Sequence, residues 1–250
     1  MLLLLPPSET KQIGGTGLTI SQVHLSYGQL NEARDQVLAG LLEVSANREL
    51  GKQVLKLSQR QLSDLERNLE IPKAPTMPAY LRYEGTLYKA INAKNFTSLE
   101  VENMRRYVLI QSALFGLISA TDRIPWYRLS AETRLPNLDL RTLWQQEQPM
   151  AWQRLVDSPI IDLRSKSYVA LSPVPVEMDS YWVEVVAEED GKRRALNHFN
   201  KKAKGDLVGA FVREKEPPKT LEELASLATR IGLQMEVQDR TIFLITSETL

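Results

Sequence analysis

The feature that most limits the fold is the stretch Val108 to Ser112, opened by three apolar residues, which reads as a buried strand and runs into small residues and Gly116. Behind it, within Tyr107 to Arg134, come the pair Asp122-Arg123, the aromatic pair Trp126-Tyr127, and two further arginines, Arg128 and Arg134. A strand fixes the backbone while the polar loop at its end presents side chains, so α/β folds place ligand sites at such points. Two more short apolar runs have the same form. Leu2 to Leu5 is stopped by Pro6-Pro7 and followed by Ser8, Glu9, Thr10 and Lys11; Ile160 to Leu163 is followed by Arg164, Ser165, Lys166, Ser167 and Tyr168. If the three strands are neighbours in one sheet, their loops share one end and form a polar cleft, with Glu9 and Asp122 as its carboxylates. The plain alternative for Tyr107 to Arg134 is a strand, a turn and a structural Arg-Asp pair.

The 250 residues are 43% apolar, ample for a core, and are read as a single domain, 1-250. Basic and acidic residues number 31 each, so any attraction to nucleic acid has to be local. The absence of cysteine excludes disulfides, thiol catalysis and a thiolate zinc site. With only His24 and His198 there is no histidine cluster, and neither a metal nor a cofactor is expected. Five apolar residues at the start are too few for a signal peptide, and no run approaches the roughly 20 residues of a membrane span, so a cytoplasmic monomer is expected.

Helical spacing predicts helices over Asn31 to Val44 and Glu49 to Leu69, with a break at Ser45-Ala46-Asn47. Gly14-Gly15-Thr16-Gly17 lacks a following G-K-[ST] and reads as a mobile surface loop, not a phosphate loop. Three prolines in Pro72 to Pro78 predict an extended connector, and Ser98 to Arg106 a short helix leading into the Val108 strand. Asp190-Gly191 marks a hairpin between Tyr181 to Glu188 and Arg193 to Asn200. Thr220 to Glu223 is a capping box, and Leu233 to Val237 with Thr241 to Ile245 a terminal hairpin.

Lys192 to Lys204 contains six basic residues and no acidic one. A helix from Lys201 to Arg213 places Lys201, Lys202 and Lys204 in its first turn, where each opposes the helix dipole by roughly 0.3 to 1 kcal/mol. Free backbone N–H groups and three lysines could hold phosphate oxygens. A solvated basic face is the other reading.

Several blocks resemble the YaaA family, bacterial proteins linked to peroxide stress. Ser112 to Leu129, SALFGLISATDRIPWYRL, is similar to its S-G-L-Y-G motif with the following P-x-D and P-Y-R; MLLLLPPSETK is similar to its first strand and S-P-A-K-T loop; His198 to Gly205, HFNKKAKG, resembles F-Y-A-K-K-A-R-G. Tyr83 to Tyr88 and Leu143-Trp144 resemble further blocks, in the family's order. The pattern departs at two places. The S-P-A-K-T lysine aligns with Glu9, with Lys11 two positions later, and of N-L-A-S-x-E-Y only Ser165 and Tyr168 match.

The resemblance implies a mixed α/β, "cantaloupe" fold, a central mixed sheet surrounded by helices with a basic cleft, and a helix-hairpin-helix for which the pair within 31-69 is the natural place. Its apolar-Gly-apolar-Gly hairpin is absent here, the nearby glycine being Gly51. It also implies non-specific duplex DNA binding and a role in limiting iron-dependent oxidative damage. Phosphate contacts are then expected from Lys11, Arg128, Arg134, Arg164, Ser165, Lys201, Lys202 and Lys204, with Ser8, Tyr88, Tyr127, Tyr168 and His198 lining the cleft. The alternative is an enzyme on a nucleotide, nucleobase or other phosphorylated small molecule, with Glu9 or Asp122 as general base. A third reading is an interaction scaffold without a small ligand.

Overall fold

Four consecutive leucines can be buried on both sides only in the middle of a covered sheet, and that is where they lie. The computed structural model describes residues 1–155, 158–189, 192–195 and 198–246. Strand β1 (Leu2–Leu5) is followed by helices α1 (Asn31–Ala46), α2 (Arg48–Val54) and α3 (Ser63–Leu69), then β2 (Met77–Pro78), α4 (Ala79–Arg82), α5 (Thr86–Ile91) and α6 (Ser98–Tyr107). Next come β3 (Val108–Ser112), β4 (Gly116–Ser119), β5 (Arg123–Ile124), α7 (Leu140–Glu147), α8 (Pro149–Trp152), β6 (Ile160–Asp162) and α9 (Lys166–Leu171). The chain ends with β7 (Ser180–Glu189), β8 (Lys192–Ala195), α10 (His198–Arg213), α11 (Leu221–Arg230), β9 (Gln234–Gln238) and β10 (Thr241–Thr246).

The main sheet runs β4-β3-β1-β6-β7-β10-β9, with β8 paired to β7, and β2 and β5 form a small second sheet. The inner strands β3, β1, β6, β7 and β10 are parallel, and Leu3 pairs with both Val108 and Ile161. The fold is thus mixed α/β with helices around the sheet. Leu3, Leu4, Leu5, Ile110, Ile160 and Ile161 are wholly buried, as expected of strands covered on both faces. Among the described residues no helix is long and apolar enough to cross a membrane.

Four expectations are corrected. The residues after Ser112 form a tight turn and a further strand, β4, antiparallel to β3. Ser112 Oγ accepts from the N–H groups of Leu114 (3.1 Å) and Phe115 (3.0 Å), and Gly116 takes φ +62 with the Trp144 ring where a side chain would be. The helix expected over Glu49 to Leu69 breaks at Lys56, whose φ is 51, so that α2 and α3 pack together; a Cβ on Gly51 would lie 2.6 Å from Leu65. Pro72 to Pro78 begins as a turn and extends only at β2. The second hairpin strand is cut to Lys192–Ala195 and α10 starts at His198, which moves Lys202 and Lys204 out of the first turn. The turn residues Asp190 and Gly191 themselves lie outside the described residues, while β7 and β8 around them are antiparallel.

Helix α10 crosses α5 with backbone close to backbone. A Cβ on Gly205 would stand 2.2 Å from the carbonyl oxygen of Leu87, a backbone atom that cannot swing aside. Gly205→Ala is therefore expected to destabilise the protein by about 2 to 3 kcal/mol in urea unfolding, with an unchanged slope. An effect within a few tenths of a kcal/mol would show that α10 does not pack on α5 in this way.

Candidate functional site

Counted in chain order, the parallel strands stand second, first, third, fourth, fifth across the sheet, so the direction of strand addition reverses between β1 and β6. In open α/β sheets the ligand crevice lies beyond the carboxyl ends of the strands at this switch point. The loop after β1 leaves the sheet at this end. Gln12 N–H bonds to Arg82 O (2.8 Å), Glu84 N–H to Thr10 O (2.8 Å) and Ser8 Oγ to Glu84 O (2.9 Å), so the loop runs antiparallel to 82–84. The buried Arg82 guanidinium holds the next stretch through the carbonyls of Gln12, Gly14, Pro75 and Ile124.

This backbone turns the Lys11 side chain inward, leaving the residue 6% exposed. Its Nζ donates to Ser8 O (2.8 Å) and Glu9 O (3.4 Å) and stands 4.2 Å from the centre of the Tyr127 ring and 5.6 Å from that of Tyr83. Burial pulls the Lys11 pKa down to about 7, and the Arg128 charge adds to the effect against the opposite pull of Glu9 and Asp64. At neutral pH a large share of this amine is uncharged.

Three hydroxyls form a chain beside it. Ser112 Oγ, already accepting two backbone N–H bonds, has only its hydrogen left for Tyr127 Oη at 2.8 Å. Tyr127 in turn donates to Tyr83 Oη, also at 2.8 Å. That order leaves the Tyr83 proton without an acceptor among the described residues. Tyr88 Oη donates to Pro6 O (2.7 Å), tying α5 to the loop. Burial raises the pKa of Tyr83 and Tyr88 well above the ordinary phenol value and that of Tyr127 to about 12, so all three stay protonated as donors.

The expected site residues divide by position. Arg128 reaches Glu9 (3.2 Å); the Arg128 side chain is 17% exposed and that of Glu9 69%. Asn68 on α3 clasps Arg128 by both backbone groups, accepting from its N–H (2.7 Å) and donating to its carbonyl (3.2 Å). Ser8, Lys11, Tyr88, Tyr127 and Arg128 therefore converge, and Tyr168 stands half-buried at the end of β6 with Ser165 exposed before it.

Arg134 is exposed. Lys201 is exposed one turn before Lys204. Lys202 pairs with Asp206 (2.9 Å). Lys204 is buried, donates to Leu163 O (3.2 Å) and lies 5.7 Å from the Trp182 ring centre, with a pKa drawn down by burial to about 8. Lys166 approaches the same ring from 5.6 Å. The side chain of His198 lies outside the described residues.

Two expected residues are elsewhere. Arg164 is fully buried, bound to Asp162 (2.7 Å) and to the carbonyls of Tyr168 and Ser172, with no surface to offer a phosphate. Asp122 accepts from Ser26 N–H (2.8 Å), Ser26 Oγ (2.9 Å) and Ser119 N–H (3.1 Å), in a hollow shared with Leu2 and Leu109 at the amino ends of β1 and β3. It therefore sits on the sheet edge opposite to Glu9, and the two carboxylates do not share a cleft. Burial raises the Asp122 pKa despite those bonds and Arg34. Asp64 and Asn68 were not anticipated: they lie on a helix whose start was hidden inside a longer apolar pattern. Tyr83 and Ser112 stood in noted motifs but carried no assigned role.

An α/β sheet with a lysine and a cluster of tyrosines at its switch point defines the class. Within it, the model of the peroxide stress protein YaaA family matches residues 1–238, and the chain belongs to that family. A UPF0246 protein of Corynebacterium glutamicum (strain R) is 38% identical over 241 residues, covering 94% of this chain and 95% of its own. One from Streptomyces coelicolor is 32% identical over 243 residues, covering 95% and 93%; one from Bacteroides thetaiotaomicron is 25% identical over 199 residues, covering 67% and 76%.

Because folding lowers the Lys11 pKa from 10.5 to about 7, its burial opposes folding fully below pH 7, and the opposition fades as pH rises toward 10.5. Lys11→Met is expected to raise Tm most near about pH 6, with the gain shrinking steadily toward about pH 10. A Tm difference independent of pH would place the Lys11 amine in water.

Proposed function

We propose that the protein serves the response to peroxide by binding duplex DNA without regard to sequence at the rim of the crevice, limiting iron-dependent damage to it. Membership of the peroxide stress family supplies the setting. The observation that carries the binding is the convergence of cations on the carboxyl end of β6. Lys166 and Lys204 flank the Trp182 ring, Lys201 is exposed one turn earlier on α10, and Arg128 is paired with Glu9 in the loop that carries Lys11. The chain has no net charge, so such a local group is what could attract a polyanion.

Lys166 and Lys201 act as exposed point charges on α9 and α10, while the buried Lys204 holds α10 to the end of β6. A second reading, an enzyme on a phosphorylated small molecule in the same crevice, is favoured by the partly uncharged Lys11 amine beside a directed hydroxyl chain.

Fluorescence anisotropy with a short labelled duplex tests the first reading. With about three phosphates neutralised, affinity should fall about 40-fold between about 50 and about 200 mM salt. The Lys166→Ala/Lys201→Ala variant should weaken binding and reduce the slope of log K against log salt by about 2. Binding that ignores salt, or a variant indistinguishable from the parent, would remove DNA from this surface.

A further inference from the structure

We propose that Lys11 is an imine-forming amine whose substrate is a phosphate-bearing aldehyde, in DNA the ring-opened deoxyribose of an abasic site. The inference deepens the DNA-binding reading and rests on it for the source of the aldehyde. It begins from a lysine that lacks what buried lysines need. No carboxylate bonds to its amine; two backbone carbonyls at 2.8 and 3.4 Å and the face of Tyr127 at 4.2 Å are its company. An amine desolvated among aromatic rings, with a second cation near, is the standard arrangement for a nucleophilic lysine, since both conditions free the lone pair. Arg128 is that cation, and the charge on Lys11 that it opposes is already weakened by burial.

The second half of the chemistry is a proton donor, and the hydroxyl chain provides one. Its polarity, set by the two N–H groups that fill Ser112 Oγ, runs from Ser112 through Tyr127 to Tyr83 and leaves unspent the hydroxyl hydrogen of Tyr83, whose ring centre lies 5.6 Å from Lys11 Nζ. In the step, the Lys11 lone pair adds to the aldehyde carbon and the C=O π bond opens to a carbinolamine. The Tyr83 hydroxyl protonates the departing oxygen, the C–O bond breaks, a C=N bond forms, and water leaves. Both hydrogens of that water come, in net terms, from the amine, so no oxidant, reductant or metal enters the balance. Tyr83 is regained as the second amine proton passes back to it. A phosphate on the sugar meets Arg128, whose position Asn68 fixes through the backbone.

Borohydride trapping decides the matter. The intact protein is incubated with a labelled duplex carrying one abasic site, with the undamaged duplex, and with 2-deoxyribose 5-phosphate. Each mixture is reduced, and the modified residue is mapped by mass spectrometry, while anisotropy reports binding of both duplexes. A reduced adduct on Lys11 with the abasic duplex and none with the undamaged one is expected. The adduct should be lost in Lys11→Arg, and its rate of formation lowered at least about tenfold in Tyr83→Phe and raised as pH passes through about 7.

Mapping on the unmodified protein keeps the result clear if Lys11→Arg folds poorly. Duplex binding without any adduct, or an adduct on another lysine, overturns the inference and leaves DNA binding standing. A Lys11 adduct with 2-deoxyribose 5-phosphate in a protein that binds no duplex upholds the imine and overturns DNA as its source; neither binding nor adduct overturns both.

Discussion

Everything in this molecule depends on β1 being parallel to both of its neighbours. Four leucines with no polar face have no stable place except between two other strands with helices above and below, and Leu3, Leu4 and Leu5 are wholly buried there. Parallel pairing then forces a chemical consequence. All three strands end on one edge, and each must leave the sheet through a loop whose backbone groups need new partners. The loop after β1 finds them in 82–84, the turn after β3 in Ser112 Oγ, and the loop after β6 in Asp162 and Arg164. The residues that satisfy these exits are the ones gathered at that end of the sheet.

Buried cations show how differently one protein can solve a single electrostatic problem. Arg164 takes a carboxylate, Asp162, and two carbonyls. Arg34 and Arg82 take carbonyl oxygens in place of an ion pair, Arg34 from Phe115, Leu117 and Ser26, and the planar guanidinium suits several such acceptors at once. Each of these arginines ties distant segments together. Lys11 hydrogen-bonds only to the carbonyls of its own loop, Ser8 and Glu9, and its long-range partners are the aromatic faces of Tyr127 and Tyr83.

The strands were legible because a doubly covered strand shows as a cluster of apolar residues, unbroken in Leu2 to Leu5 and leading in Val108 to Ile110 and Ile160-Ile161. The helix Leu221–Arg230 was legible through its Thr220-to-Glu223 capping box, and the terminal hairpin through the turn at Asp239, which takes φ 52. What stayed hidden depends on partners far away in the chain. Lys56 has no sequence mark for a left-handed turn; the turn exists because Gly51 lets Leu65 pack against α2. Asp122 stood close to Tyr127 in the sequence and was assigned to the same cleft, yet five residues of extended chain span about 17 Å, enough to cross a sheet from one edge to the other. Arg164 had the composition of an anion site, and only the strand register shows Asp162 two residues earlier already holding it.

A comparison of the two inward lysines separates packing from chemistry. Lys204 lies under α10 with Leu163 O as its acceptor and Trp182 beside it, and its burial anchors the helix to the end of β6. An anchoring role explains it fully. For Lys11 the same account fails, because a methionine would fill the space between the tyrosine rings and bring no charge to desolvate. An ammonium has three donors, and the two carbonyls that Lys11 meets are both within three residues of it, so neither adds a long-range tie. A fold at liberty to place an apolar side chain there instead carries a group that opposes folding below neutral pH, at the strand switch point and against the rings of Tyr127 and Tyr83. A local loss of stability that no packing role offsets is what a site kept for reaction looks like.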